Sequence, residues 1–157
     1  MSPAAGIQPV SALASDLADR LRKRLASSPA LSWLAPTLEE LDLDYCVLGL
    51  RYRPELTNGS PAIHGGVLAT LADTAVAFAL STNFDGKMGF ATADLTIHFL
   101  ARAKSDVRAR ARILKKGRRV NVGEVDVLDA DGKPVARALT TYLLTTSSFE
   151  YLPGGAR

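Results

Sequence analysis

The order of hydrophobic periodicities predicts an α+β domain: an antiparallel sheet of five or six strands wrapped around one long central helix, with an extra amphipathic helix ahead of it. Three observations carry this. Residues 58–83 open on turn formers, meet a His-Gly-Gly at 64–66 and from there run as an almost uninterrupted apolar segment that holds a single acid, Asp73. Apolar residues near the start recur at helical spacing with charges between them. After residue 90, four stretches of strand-like pattern follow one another with turn signals between them.

Taken in order, Val10, Leu13, Ala14, Leu17, Leu21 and Leu25 give an amphipathic helix of about four turns or more, ending near Ser27, Ser28 and Pro29. Residues 1–9, with Pro3, Gly6 and Pro9, read as frayed. A short helical turn fits residues 31–34 before Pro36. Residues 37–53 alternate imperfectly and read as one or two strands, with a break at 40–44. Pro54 ends that stretch, and Asn58-Gly59 marks a loop over 55–61. The central helix starts at His64 or Gly65, with Gly65 and Gly66 in its first turn. After a connector at 84–88, strands are expected at 90–101, 106–116, 118–128 and 134–146, read as a four-strand meander. A hairpin turn falls at 129–132. The expected organisation is a helical extension at 1–36, the main domain at 37–146 and a loose tail at 147–157.

The bulk numbers exclude several classes. A chain of 157 residues with 47% hydrophobic and 22% charged residues is a folded domain, too short for two ordinary ones. No apolar run has the length to cross a bilayer, and the start lacks the basic-then-apolar order of a signal peptide. A cytoplasmic protein is the default expectation. One cysteine, Cys46, allows no intrachain disulfide, and no metal-ligand spacing, phosphate loop or dinucleotide fingerprint appears, so no cofactor and no metal is expected. A net charge of +3 permits an anionic ligand, but the basic residues are clustered locally with few aromatics between them, so neither nucleic acid nor membrane is an expected partner. The set from Arg20 to Arg24 reads as a solvated helix face.

Candidate chemistry concentrates around the central helix. His64 stands just before two glycines at a helix start, where unpaired N–H groups and a partial positive charge could hold a developing oxyanion. The plainer alternative is a cap with tight packing at Gly65 and Gly66. Asp73, in an apolar helix, needs a partner if buried, and such acids are often functional. His64 and Asp73 are nine residues apart, which on a helix is ~13.5 Å along the axis and roughly half a turn around it. They cannot serve one atom from one helix. If both are catalytic, a second subunit must supply one of them, most simply in a two-fold dimer with antiparallel central helices.

Lys115, Lys116, Gly117, Arg118 and Arg119 form a basic hairpin corner, either solvated or a clamp for a polyphosphate. Arg102 and Lys104 make a smaller basic spot. Asn58 and Thr92 could orient a water or a carboxylate. Strand parity places Thr92 with Asp94 and His98, so a bulge is needed to turn it toward the helix. His98 reads as a surface or interface residue, and Cys46 as a core residue.

Asn58, His64, Gly65, Gly66 and Asp73 stand in the order N-x5-HGG-x6-D. With ATADLTIHFLARA and ILKKGRRVNVGEVDVLDADGKPVARALTTYLL, this resembles the hotdog-fold acyl-CoA thioesterases of the PaaI type over residues 37–146. The resemblance implies hydrolysis of an acyl- or aryl-CoA thioester. Gly65 N–H would polarise the carbonyl, and Asp73 of the opposite subunit would act as nucleophile or general base. His64 would place the thioester or leaving thiolate, Asn58 the carbonyl or water, and Thr92 would stand near the carboxylate. CoA would meet Gly66, Lys115, Lys116, Gly117, Arg118, Arg119, Val120 and Asn121, and would be part of the substrate rather than a cofactor. The family often stacks dimers into tetramers, so a homotetramer is expected. The rival is a non-catalytic hotdog protein that binds acyl-CoA or an acyl-carrier partner. A hotdog dehydratase is a third class, which would act on a 3-hydroxyacyl or enoyl thioester.

Overall fold

The computed structural model describes residues 12–84 and 89–145. The frayed start, the connector residues 85–88 and the loose tail expected from 147 lie outside the described residues. Helix α1 (Ala12–Ser27) and the short α2 (Pro29–Leu34) come first. Leu17, Leu21 and Leu25, one turn apart, are buried on the inner face of α1. Pro29 sits at the start of α2, where its missing N–H costs nothing. Ala35 ends α2 in the left-handed region (φ 53).

Strands β1 (Thr37–Asp42) and β2 (Tyr45–Leu50) form an antiparallel hairpin turned at Asp44, whose φ is 62. A short 3-10 turn (Pro54–Leu56) leads to the central helix α3 (Gly65–Ser81). Then follow β3 (Gly89–Phe99), β4 (Val107–Lys115), β5 (Val120–Asp129) and β6 (Pro134–Thr145). All six strands make one sheet in the order β1-β2-β4-β5-β6-β3, antiparallel throughout. This is the hotdog arrangement: a sheet around one long helix.

One expectation fails. The last four strands are not a simple meander, because β3 pairs with β6 and β2 pairs with β4. No tight-turn signal joins β3 to β4. The connecting segment is long enough to cross over, and its Ala103 carbonyl accepts the Ile63 N–H at 2.8 Å just before α3. β4, β5 and β6 do run as a meander.

The core lies between α3 and the sheet. Leu71, Ala72, Ala75, Val76 and Ala79 are fully covered. The sheet beneath them mixes branched residues such as Leu48, Val125 and Val127 with small ones: Ala109, Ala111, Gly123, Ala136 and Ala138. A Cβ at Gly123 would collide with Val76 Cγ1, so that glycine sets how closely the helix approaches. One stripe of α3 stays uncovered: Gly66 and Thr70 are exposed, and Asp73, Thr74 and Ala77 are partly so.

Candidate active site

The site is built at two levels of α3. At its start, His64 caps the helix, its Nδ1 accepting the Gly66 N–H at 2.8 Å. That acceptor role leaves the imidazole proton to Nε2. The backbone is locked at both sides of the cap: His64 N–H donates to the Leu56 carbonyl at 2.8 Å, and Thr57 bridges Ile63. The His64 carbonyl takes the N–H groups of Val67 and Leu68. Gly65 N–H is left without a partner among the described residues, at the positive end of the helix dipole. The Phe99 ring, though 54% exposed, lies against Gly65: a Cβ there would sit 3.0 Å from Phe99 Cζ.

Two turns further on, Asp73 is half-buried on the uncovered stripe of α3. Two hydroxyls hold its carboxylate. Thr92 Oγ1 lies 3.1 Å from Oδ1 and 3.2 Å from Oδ2. Tyr142 OH donates to Oδ1 at 2.6 Å, and the same hydroxyl is 2.6 Å from the Asp73 carbonyl oxygen. Thr92 reaches the helix because β3 bulges: Thr92 pairs with Tyr142, yet Asp94 pairs with Thr141, so Ala93 is extra.

Tyr142 is the site residue that sequence reasoning missed. It is 2% exposed, on the helix-facing parity of β6 with Ala136, Ala138 and Thr140. A tyrosine at a core position of a strand needs a partner for its hydroxyl, and that signal was present in the sequence. Burial pushes its phenol up from the ordinary value, and the Asp73 charge and hydrogen bond add to this, so it stays protonated as a donor. Phe90 packs edge-on against its ring, at 5.5 Å between centroids.

The other expected residues are placed as follows. Asn58 is exposed, and its Oδ1 accepts from Ser60 N and Oγ, an Asx turn that shapes the loop before α3. Lys115, Arg118 and Arg119 are exposed at the corner between β4 and β5. Lys116 instead is drawn to Asp44 (2.7 Å) and Asn83 (2.9 Å), joining the corner to the end of α3. Val120 is exposed, whereas Asn121 is 1% exposed. Its Oδ1 accepts the Gly117 N–H at 3.1 Å, so Asn121 shapes the corner from beneath. Gly117 has no room for a side chain, since a Cβ would press on the Val120 carbonyl oxygen at 2.6 Å. His98 is exposed and Cys46 buried, as expected.

Within one chain, Thr92, Tyr142 and Asp73 come together, and His64, Gly65 and Gly66 come together. α3 is continuous between these groups, which keeps them ~13 Å apart. Among the described residues, no group of three or more His, Cys, Asp or Glu could hold a metal ion. None of their helices is long and apolar enough to cross a membrane.

A family model described as the thioesterase superfamily matches residues 61–136. A Halobacterium salinarum protein with a provisional esterase name is 30% identical over 135 residues, covering 80% of this chain and 89% of that one. The acyl-coenzyme A thioesterase PaaI of Escherichia coli K12 is 32% identical over 98 residues, 61% of this chain and 68% of that one. The solved structure of the E. coli PaaI protein from the phenylacetic acid degradation operon superposes with a TM-score of 0.77. That superposition covers 87% of this chain and 99% of that chain, and at 20% identity it speaks to fold alone.

Proposed function

The chain belongs to the thioesterase superfamily, as a hotdog protein of the PaaI type, and we propose that it hydrolyses acyl- or aryl-CoA thioesters to the free acid and CoA. The observation that carries this is the Asp73 carboxylate, held by Thr92 and Tyr142 on the uncovered face of an otherwise apolar helix. A carboxylate fixed there can take a proton from water as water adds to the thioester carbon. Alternatively, it can attack that carbon itself to give an anhydride that water then opens. In both routes the carbonyl oxygen gains negative charge, the C–S bond breaks, and CoA leaves as a thiolate that takes up a proton. The Gly65 N–H at the α3 start, without a partner among the described residues, is suited to that oxyanion. His64 Nε2–H would place the thioester or the thiolate, and Asn58, through its side-chain amide, the carbonyl or the water. Water is the co-substrate, and the reading needs no metal or cofactor.

The separation along α3 favours a cross-subunit site, in which Gly65 of one protomer works with Asp73 of its partner. Two features support a two-fold dimer. The long strand β3 lies on the sheet edge with its outer side unpaired among the described residues. The uncovered stripe of α3, carrying Thr70, Asp73 and Thr74, runs beside it. The reading extends to a homotetramer of two dimers in the cytoplasm. CoA would lie along Gly66 and the corner of Lys115, Lys116, Gly117, Arg118, Arg119 and Val120, its phosphates on the exposed cations.

A panel of acyl- and aryl-CoAs, followed by thiol release, tests this with wild type and Asp73→Asn. Turnover by wild type that Asp73→Asn loses is the expected result. CoA binding without turnover on any member would favour a non-catalytic acyl-CoA-binding protein. Full activity in Asp73→Asn would overturn the role given to Asp73.

A further inference from the structure

Asp73 is served by two hydroxyls, and they are not equivalent. Thr92 is exposed and shares its single proton between Oδ1 and Oδ2, at 3.1 and 3.2 Å. Tyr142 is buried and meets only Oδ1 of the carboxylate, at 2.6 Å. Its ring is fixed by Phe90 at its edge and by its place on the inner face of β6, opposite Thr92 on one side and Asn121 on the other. The hydroxyl also lies 2.6 Å from the Asp73 carbonyl oxygen, so it ties the side chain of Asp73 to its own backbone. A charged acceptor takes the proton in preference to an amide carbonyl.

We propose that Tyr142 is a positioning residue for the thioesterase site: it pins Oδ1 of Asp73 from below and leaves Oδ2 as the oxygen that meets water or the thioester. The role rests on the function given above to Asp73. An aspartate on a helix can swing about two side-chain torsions, and productive reaction geometry needs the reacting oxygen held to a fraction of an ångström. Thr92 alone, bonded to both oxygens from the solvent side, does not choose between them. Tyr142 does, and its buried hydroxyl remains a donor across the physiological pH range.

The test is Tyr142→Phe, which removes the hydroxyl and keeps the ring contact with Phe90. The proposal expects kcat to fall roughly tenfold to a hundredfold, as for a lost hydrogen bond to a charged group, with KM changed less than about twofold. A short hydroxyl–carboxylate bond from a buried donor also gives a far-downfield proton resonance. Wild type should show it, and both Tyr142→Phe and Asp73→Asn should lose or shift it. Unchanged kcat in a folded Tyr142→Phe, or a rise in KM alone, would overturn the proposal. So would absence of the resonance in wild type, a result readable even if Tyr142→Phe does not fold. If wild type hydrolyses no thioester, the thioesterase reading fails by itself. The resonance then still decides whether Tyr142 holds Asp73.

Discussion

Thr92 meets Asp73 only because β3 carries one residue too many. Strict alternation would send its hydroxyl to the outer face with Asp94 and His98. The register instead steps from Thr92 opposite Tyr142 to Asp94 opposite Thr141, with Ala93 absorbed as a bulge. The bulge turns Thr92 inward and lets Leu95 and Ile97 still pack against the core. A local break in the ladder therefore serves the carboxylate without costing the strand its buried face.

Thr92→Val keeps the branched shape and removes the donor. Tyr142 still holds Oδ1, so the carboxylate stays in place with less restraint on Oδ2. The expected loss in kcat is about tenfold, near 1.5 kcal/mol for one hydrogen bond to a charged group. KM and melting temperature should change little. Steady-state kinetics on the best thioester of the panel, with a thermal melt alongside, checks both.

The contrast between Thr92 and Tyr142 shows what was legible beforehand. Helices and strands follow from the spacing of Leu17, Leu21 and Leu25 or of Leu95 and Ile97, because burial on one face repeats with the period of the element. The cap and the acid on α3 were visible because polar groups in an apolar segment need a reason. Partners brought together across the sheet carry no such local mark. Nothing near β3 announces that it pairs with β6, since that choice is made by the helix that the sheet must enclose. Tyr142 falls between the two classes: a hydroxyl at a core position of a strand calls for a partner, but that partner lies 69 positions away. Asn121 sits two residues past the exposed Arg119, yet strand parity buries it.

Gly65→Ala should separate catalysis from stability. The position is the first residue of α3, where alanine gains up to ~1 kcal/mol of helix propensity over glycine. The new Cβ would meet the Phe99 ring at 3.0 Å, and that exposed ring can move. Stability should hold or rise, while kcat falls at least tenfold as the ring and the N–H below it are displaced. Adding Phe99→Ala should make room and recover part of the loss. Thermal melts and kinetics on the two variants decide it.

Gly123→Ala should do the reverse. Here a Cβ has nowhere to go: Val76 Cγ1 is in the way, and the Arg112 carbonyl oxygen lies at 3.2 Å. Helix and sheet must part, at a cost of about 1–3 kcal/mol. Urea unfolding should show a lower midpoint, and Val76→Ala in the same chain should return part of it.

Asp126 and Arg137 stand opposite each other on β5 and β6 and form a two-pronged ion pair, 2.5 Å from Nε to Oδ1 and 3.0 Å from Nη2 to Oδ2. The hydrogen bonds from Arg137 hold the Asp126 carboxyl below its ordinary value of 3.8. A folded-state value below the unfolded one means the pair stabilises fully above about pH 4 and loses its effect as pH falls through the lowered value. The pair is largely exposed, so its contribution is small and screened by salt. Asp126→Asn should lower the melting temperature slightly at pH 7, and the difference from wild type should close below about pH 4. An unchanged difference at pH 3 would remove the pair from the account.

The cross-subunit reading makes the sharpest demand on assembly. α3 runs unbroken from Gly65–Ser81, so no local rearrangement brings Asp73 to the Gly65 of its own chain. Thr74 follows Asp73 on the uncovered stripe, its hydroxyl folded back onto the Thr70 carbonyl at 2.8 Å. Thr74→Arg would set a long cation where a partner helix must approach, without entering the core. The expected product is a folded monomer in sedimentation, with wild-type far-ultraviolet dichroism and turnover reduced more than a hundredfold. Wild type should sediment as a dimer or a larger even assembly and lose specific activity on dilution below its dissociation constant. A Thr74→Arg monomer with full turnover would place both halves of the site in one chain. That would require a contact between Asp73 and the helix start which the geometry of α3 forbids.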